Sequence, residues 1–131
     1  MCTILLSINP EHVKNIFEGK KLYEFRKIEC KRKVDKIIIY STSPIMKVVG
    51  EADVDEILKA HPEEVWEKTQ RESGIDKSFF DKYYKNSEYA IAYKLSKIKE
   101  YKKPKSLSEF GIKKAPQSFV YINKLEQTAF I

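Results

Sequence analysis

At 131 residues, 42% hydrophobic and 34% charged, the chain is long enough to bury one core without disulfide or metal staples. No apolar run approaches a membrane span, and Cys2 and Cys30 have neither C-x-x-C nor metal-ligand spacing. A cytoplasmic protein with reduced thiols, no metal, no cofactor and no membrane partner is therefore expected, and its net charge of +6 favours polyanionic partners.

The segment Met1 to Ile8 lacks a basic n-region and reads as a first strand, Thr3 to Ile8, instead of a signal peptide. Asn9 and Pro10 suit the N-cap and first position of a helix, with Val13, Ile16 and Phe17 as its apolar stripe and Gly19 as its stop. A charged strand follows. Period-2 alternation puts Leu22, Glu24, Arg26 and Ile28 on one face and Lys21, Tyr23 and Phe25 on the other. An ion pair bracketed by Leu and Ile is weak as a stabilising device, so a polar cleft lined from the sheet explains it better.

After a basic loop from Glu29 to Lys33, Asp35 to Tyr40 is a β-branched, nearly continuous apolar strand leading into the hydroxyl-rich turn Ser41-Thr42-Ser43-Pro44. Val48 to Val54 alternates as a strand, with Gly50 as a bulge candidate. His61 to Glu72 reads as a helix that Gly74 stops, and Asp76 caps a shorter one carrying Phe79, Phe80, Tyr83 and Tyr84. Trp66 is expected to anchor the first of these helices. Tyr89 to Tyr101 alternates as a long strand, with Ala90, Ala92 and Lys94 opposite Tyr89, Ile91, Tyr93 and Leu95, and Lys102-Lys103-Pro104 is expected to break it. Ser106 to Phe110 forms a short helical turn ended by Gly111, and Pro116 to Ile122 is the last strand. Four to six strands, with helices after the first and third, indicate a single α+β domain over residues 1–131, built as a small β-barrel with flanking helices.

Charge is unevenly placed. Lys20, Lys21, Arg26, Lys27, Lys31, Arg32, Lys33 and Lys36 form one basic block, and eight lysines from Lys94 to Lys114 form another. A mostly acidic stretch, Glu51 to Glu72, separates them. Contact with a polyanion and plain solvation both account for the blocks.

Leu6-Ser7-Ile8-Asn9-Pro10, Ile16-Phe17-Glu18-Gly19-Lys20-Lys21 and Tyr23-Glu24-Phe25-Arg26 together resemble the ASCH domain family of the PUA-like superfamily. Tyr40 to Pro44 and Pro116 to Phe119 fit the same pattern, so the resemblance covers nearly the whole chain. It implies a PUA-like β-barrel and a cleft beside the Gly-x-Lys motif that binds RNA or a nucleotide-like ligand, with DNA, a transcription-regulating role and a small-ligand sensor as variants. The site it implies is Lys21, Glu24 and Arg26 as floor, with Ser41, Thr42, Ser43, Gln117 and Ser118 at the rim.

Each of these residues has an alternative. Lys21 serves as phosphate contact, catalytic amine or surface lysine; Arg26 forks onto a phosphate or pairs internally with Glu24. Ser41 to Ser43 contact phosphate or cap a strand end, and Gln117 and Ser118 read a base edge or merely space the chain. One branch of the family hydrolyses N4-acylated cytidines with a threonine three positions after the lysine. That position is Glu24 here, and a carboxylate does not replace an activated hydroxyl, which leaves catalysis open. The enzymatic alternative is a hydrolase of a modified nucleoside or of RNA, with Glu24 as general base and Lys21 steering an oxyanion. Tyr23 is the stacking candidate, the aromatics from Phe79 to Tyr84 are read as packing, and the isolated His12 and His61 give no metal site.

Overall fold

The strand Thr3–Ile8 is buried along almost its whole length because it ends up inside the sheet with apolar layers on both faces. Ile4, Leu6 and Ile8 point to one core and Leu5 to another, as a period of two requires. In the computed structural model, which describes residues 2–122, this strand is β1 of six. The others are β2 (Tyr23–Arg26), β3 (Lys36–Ser41), β4 (Lys47–Ala60), β5 (Ala90–Lys105) and β6 (Phe119–Tyr121). They form one sheet in the order β2-β5-β4-β3-β1-β6. β1 and β3 run parallel and the remaining neighbours antiparallel. The sheet curls into a half-barrel, the α+β architecture expected.

Helix α1 (Pro10–Phe17) follows β1, and α2 (Pro62–Thr69) and α3 (Lys77–Tyr83) follow β4, one strand later than expected. The Asn9 side chain accepts from the Glu11 amide at 2.9 Å, which caps α1, and Val13 and Ile16 are its buried face. Asp76 caps α3 by accepting from the Phe79 amide at 2.9 Å. A 3₁₀ turn, Gln70–Glu72, continues the chain beyond α2.

Curling comes from the long β4–β5 ribbon, whose register shifts in three places. One shift lies between Val48 and Gly50, where the bulge was expected. A methyl group on Gly50 would meet the Lys99 carbonyl oxygen at 2.4 Å and the Phe17 ring at 2.6 Å, so glycine is what lets α1 close onto the strand. β5 does not break at Pro104. That residue falls between the pairs Gly50–Glu100 and Val48–Lys105, where the ladder is already irregular and a missing N–H is tolerated.

Ala90 to Tyr93 are all buried, because Ile91, Tyr93 and Leu95 face the barrel interior while Ala90 and Ala92 pack beneath α2 and α3. The outer layer is aromatic: Trp66, Phe80 and Tyr84 meet Tyr23 and Phe25 there. Trp66 thus anchors its helix as expected, whereas Tyr23 belongs to this core. Tyr89 precedes the strand and is exposed. No helix among the described residues is long and apolar enough to cross a membrane.

Candidate functional site

β2 is an edge strand only four residues long, and its side chains divide as the alternation demands. Glu24 lies opposite Tyr93 and Arg26 opposite Ile91, so both turn toward the barrel interior with those partners. Lys21 precedes the strand, so the alternation that assigns it to the other face does not reach it. Backbone bonds from the Lys21 amide to the Asn15 carbonyl and from the Leu22 amide to the Glu72 carbonyl turn the chain there. The ammonium therefore arrives beside Glu24.

Lys21 is 2% exposed. Its Nζ donates to the Ser73 carbonyl at 3.1 Å, lies 3.8 Å from Glu24 Oε1, and sits 4.7 Å from the centroid of the Phe25 ring. Gly74, at φ +70°, rests directly against the lysine stem: a methyl group there would come within 2.4 Å of Lys21 Cβ. Burial pushes the Lys21 ammonium below its ordinary pKa; Glu24 opposes that shift and Arg26 adds to it.

Glu24 Oε2 accepts from Arg26 Nε at 3.1 Å and from Nη2 at 2.7 Å. Nη2 also donates to the Ser7 carbonyl at 2.8 Å, tying β2 at one sheet edge to β1 near the other. Nη1 has no hydrogen-bond partner among the described residues. The Tyr84 hydroxyl donates toward the carbonyls of Arg26 at 2.9 Å and Ile91 at 3.2 Å, which pins the end of the strand. The internal pair and the free guanidinium nitrogen thus coexist. The carboxylate holds the fork in place and one nitrogen stays available to a ligand.

These three residues share a cleft of about 150 Å³ with Ile8, Asn9, His12, Phe25, Ile75, Phe79 and Tyr83. Phe79 is 47% exposed, and Tyr83 carries the Lys27 ammonium 4.7 Å from its ring centroid. The packing role expected for the α3 aromatics is therefore divided. Phe80 and Tyr84 face the core, while Phe79 and Tyr83, four residues apart on one helix, face the cleft. His12 packs edge-on against Phe79, at 5.4 Å between centroids, and its Nδ1 is buried without a partner. Burial first, then the charge of Lys21, lowers the His12 pKa, so the imidazole is neutral at pH 7.

The rim residues do not all reach this cleft. Ser41 is buried at the end of β3 and lines a separate hollow on the far side of α1, with Pro10, Phe17 and Ile45. Thr42 donates its amide to the Ile8 carbonyl at 3.0 Å, and Ser43 is exposed. Gln117 is exposed as well. Ser118 stands one residue removed from the guanidinium: its carbonyl accepts from the Ser7 amide at 3.0 Å, and the Ser7 carbonyl holds Arg26. Asn9, His12, Phe79 and Tyr83 complete the cleft without having been expected there. The spacing of Phe79 and Tyr83 was a usable signal, but nothing local distinguishes their face of α3 from the buried one. No group of three or more His, Cys, Asp or Glu that could hold a metal occurs among the described residues.

The family described as "Domain of unknown function (DUF365)" matches residues 1–117. Over 121 residues, 92% of this chain, the sequence is 34% identical to the large ribosomal subunit protein uL22 of Ureaplasma parvum serovar 3, covering 39% of that protein. It is 32% identical over 92 residues, 70% of this chain and 62% of the relative, to an ASCH domain-containing ribonuclease of Zymomonas mobilis subsp. mobilis. The chain thus spans less than two thirds of the length of either relative. The crystal structure of ASCH from Zymomonas mobilis superposes with a TM-score of 0.86 at 27% identity, covering 96% of this chain and 91% of that one.

Proposed function

The chain belongs to the DUF365 family and to the ASCH domain family, and from that premise we propose that it is a single ASCH unit whose cleft seats one unpaired nucleotide of an RNA strand. The observation that carries this reading is the composition of the cleft: a floor of buried Lys21 and Glu24 and partly buried Arg26 beneath the exposed ring of Phe79 and the ring of Tyr83. Aromatic walls stack any base, and a fixed guanidinium with a free nitrogen suits a base carbonyl or a phosphate oxygen. At about 150 Å³ the space is below the usual range for drug-sized ligands, which fits one base entering from a strand. The ribonuclease relative supports RNA over DNA as the partner.

The test is fluorescence anisotropy with a short labelled single-stranded RNA and its DNA counterpart. Phe79 is exposed, so Phe79→Ala leaves the fold intact. Loss of one stacking surface lowers RNA affinity by roughly tenfold, since base–aromatic stacking contributes about 1–3 kcal/mol. Equal affinity for parent and variant refutes the cleft.

Strand cleavage is the second reading, favoured by a neutral imidazole and an ammonium that line the same small cleft. The ribose 2′-hydroxyl would add to the adjacent phosphorus and give its proton to His12. The 5′-oxygen would leave with a proton from Lys21, producing a 2′,3′-cyclic phosphate and a 5′-hydroxyl. Detection of that cyclic end in the parent, and its loss in His12→Phe with binding retained, is the expected result. The same cyclic end from the His12→Phe variant removes the imidazole from the chemistry.

A further inference from the structure

We infer that the basic loop of residues 27–33, and not the lysine-rich far half of β5, holds the backbone phosphates next to the nucleotide in the cleft. This rests on the cleft reading above and adds the path of the strand. A hollow of about 330 Å³ is lined by residues 29–33 together with Ile57, Lys59, Ile91 and Tyr93. It adjoins the cleft through the sheet. Ile91 is the cross-strand partner of Arg26 and Tyr93 that of Glu24, and such partners share a face with Cβ atoms about 5 Å apart. Lys27 holds its ammonium over the ring of Tyr83, a residue that lines the cleft.

The charges of the hollow suit a phosphodiester. Four cations stand against one carboxylate, Glu29, which Lys59 already engages at 2.6 Å. Lys31, Arg32 and Lys33 are exposed and form no ion pair among the described residues. The loop is also shaped in advance. The Lys31 amide donates to the Tyr121 hydroxyl at 3.0 Å, and the Arg32 guanidinium lies 4.8 Å from the centroid of that ring. Beneath it, Cys30 Sγ is 3.3 Å from the Tyr93 hydroxyl. A loop held at three points has less backbone freedom to lose on binding, and Arg32 is already oriented on its ring. The other basic block lies elsewhere: from Ile91 to Lys99 is roughly 26 Å along the strand path.

The experiment compares salt dependence of binding to a short labelled single-stranded RNA between about 50 and 200 mM salt. Each phosphate contact on a single strand contributes about 0.7 to the slope of log affinity against log salt. The triple variant Lys31→Gln, Arg32→Gln, Lys33→Gln is expected to lower that slope by about 2. The triple variant Lys99→Gln, Lys102→Gln, Lys103→Gln is expected to leave it unchanged. Should the loss of Arg32 from Tyr121 unfold the loop triple, Lys31→Gln with Lys33→Gln carries the test, with an expected drop of about 1.4. An unaltered slope in the loop variant, or a drop in the distal one, overturns the inference. Phe79→Ala separates the two ideas, because it weakens binding at every salt concentration with no change of slope. If Phe79→Ala binds like the parent while the loop variant loses slope, the cleft fails and the track stands. If the parent binds RNA with no salt dependence, the track falls and the cleft stands; if it binds no RNA at all, both fall.

Discussion

Replacing Glu24 by Gln should be more damaging than replacing Lys21 by Met, although both remove one charge from the same cluster. The Glu24, Lys21 and Arg26 side chains are 7%, 2% and 14% exposed, so Lys21 cannot recover its hydration and Arg26 recovers only part of its own when the carboxylate is neutralised. Breaking a buried pair from one side costs about 3–5 kcal/mol, and the amide retains one acceptor, which points to the lower end, about 3 kcal/mol. Lys21→Met leaves both Arg26–Glu24 hydrogen bonds in place and removes an ammonium whose burial already opposes its charge, but it takes the donor from the buried Ser73 carbonyl, so the change costs about 1–2 kcal/mol. For a domain of this size, about 3 kcal/mol corresponds to roughly 10 °C in Tm. Urea unfolding followed by the fluorescence of Trp66, the single tryptophan, reads the difference as a shift of midpoint at constant m-value. Equal losses in the two variants, or a Glu24→Gln protein as stable as the parent, would refute the view that the carboxylate holds the cluster together.

Three further outcomes follow from the same geometry. His12 should titrate with an NMR midpoint below 6.5. Its folded pKa is lowered by burial, so the unfolded chain binds the proton first, stability falls on acidification between 6.5 and the lowered midpoint, and His12→Phe loses that slope. Gly74→Ala should cost about 2–4 kcal/mol in urea unfolding, from left-handed strain plus the clash with Lys21, whereas Gly19→Ala, with open space at its Cβ position, should cost only about 1 kcal/mol. Tyr84→Phe removes the hydroxyl that donates to the carbonyls at the end of β2 and should cost about 1–2 kcal/mol by the same assay, a null effect showing that water takes its place.

Much of this organisation was legible along the chain because it is written in local chemistry. The Asn9-Pro10 and Asp76 caps, the apolar run Ile37 to Tyr40 and the bulge at Gly50 each depend on residues close in sequence. Glu24 and Arg26 were also readable, since alternation within a strand fixes a face. What escaped depends on folding at longer range. Lys21 lies before the strand begins, so its direction is set by Asn15 and Glu72, not by a period of two. Phe79 and Phe80 are neighbours with opposite fates, one at the cleft and one in the core, because the phase of α3 against β2 is a tertiary fact. Likewise, the two basic blocks look equivalent as composition, and only the folded chain puts Lys21 and Arg26 of the first block in the cleft.

The bond from Arg26 to the Ser7 carbonyl gives the cleft a second role as the clasp of the half-barrel. β6 is three residues long and joins the sheet only through β1, so its amides should exchange with solvent whenever that margin loosens. A ligand that draws Nη2 away from Ser7 would speed exchange at Phe119 to Tyr121, while one that uses only Nη1 would slow it. Hydrogen exchange at an edge strand untouched by the ligand would thus report how the guanidinium is shared.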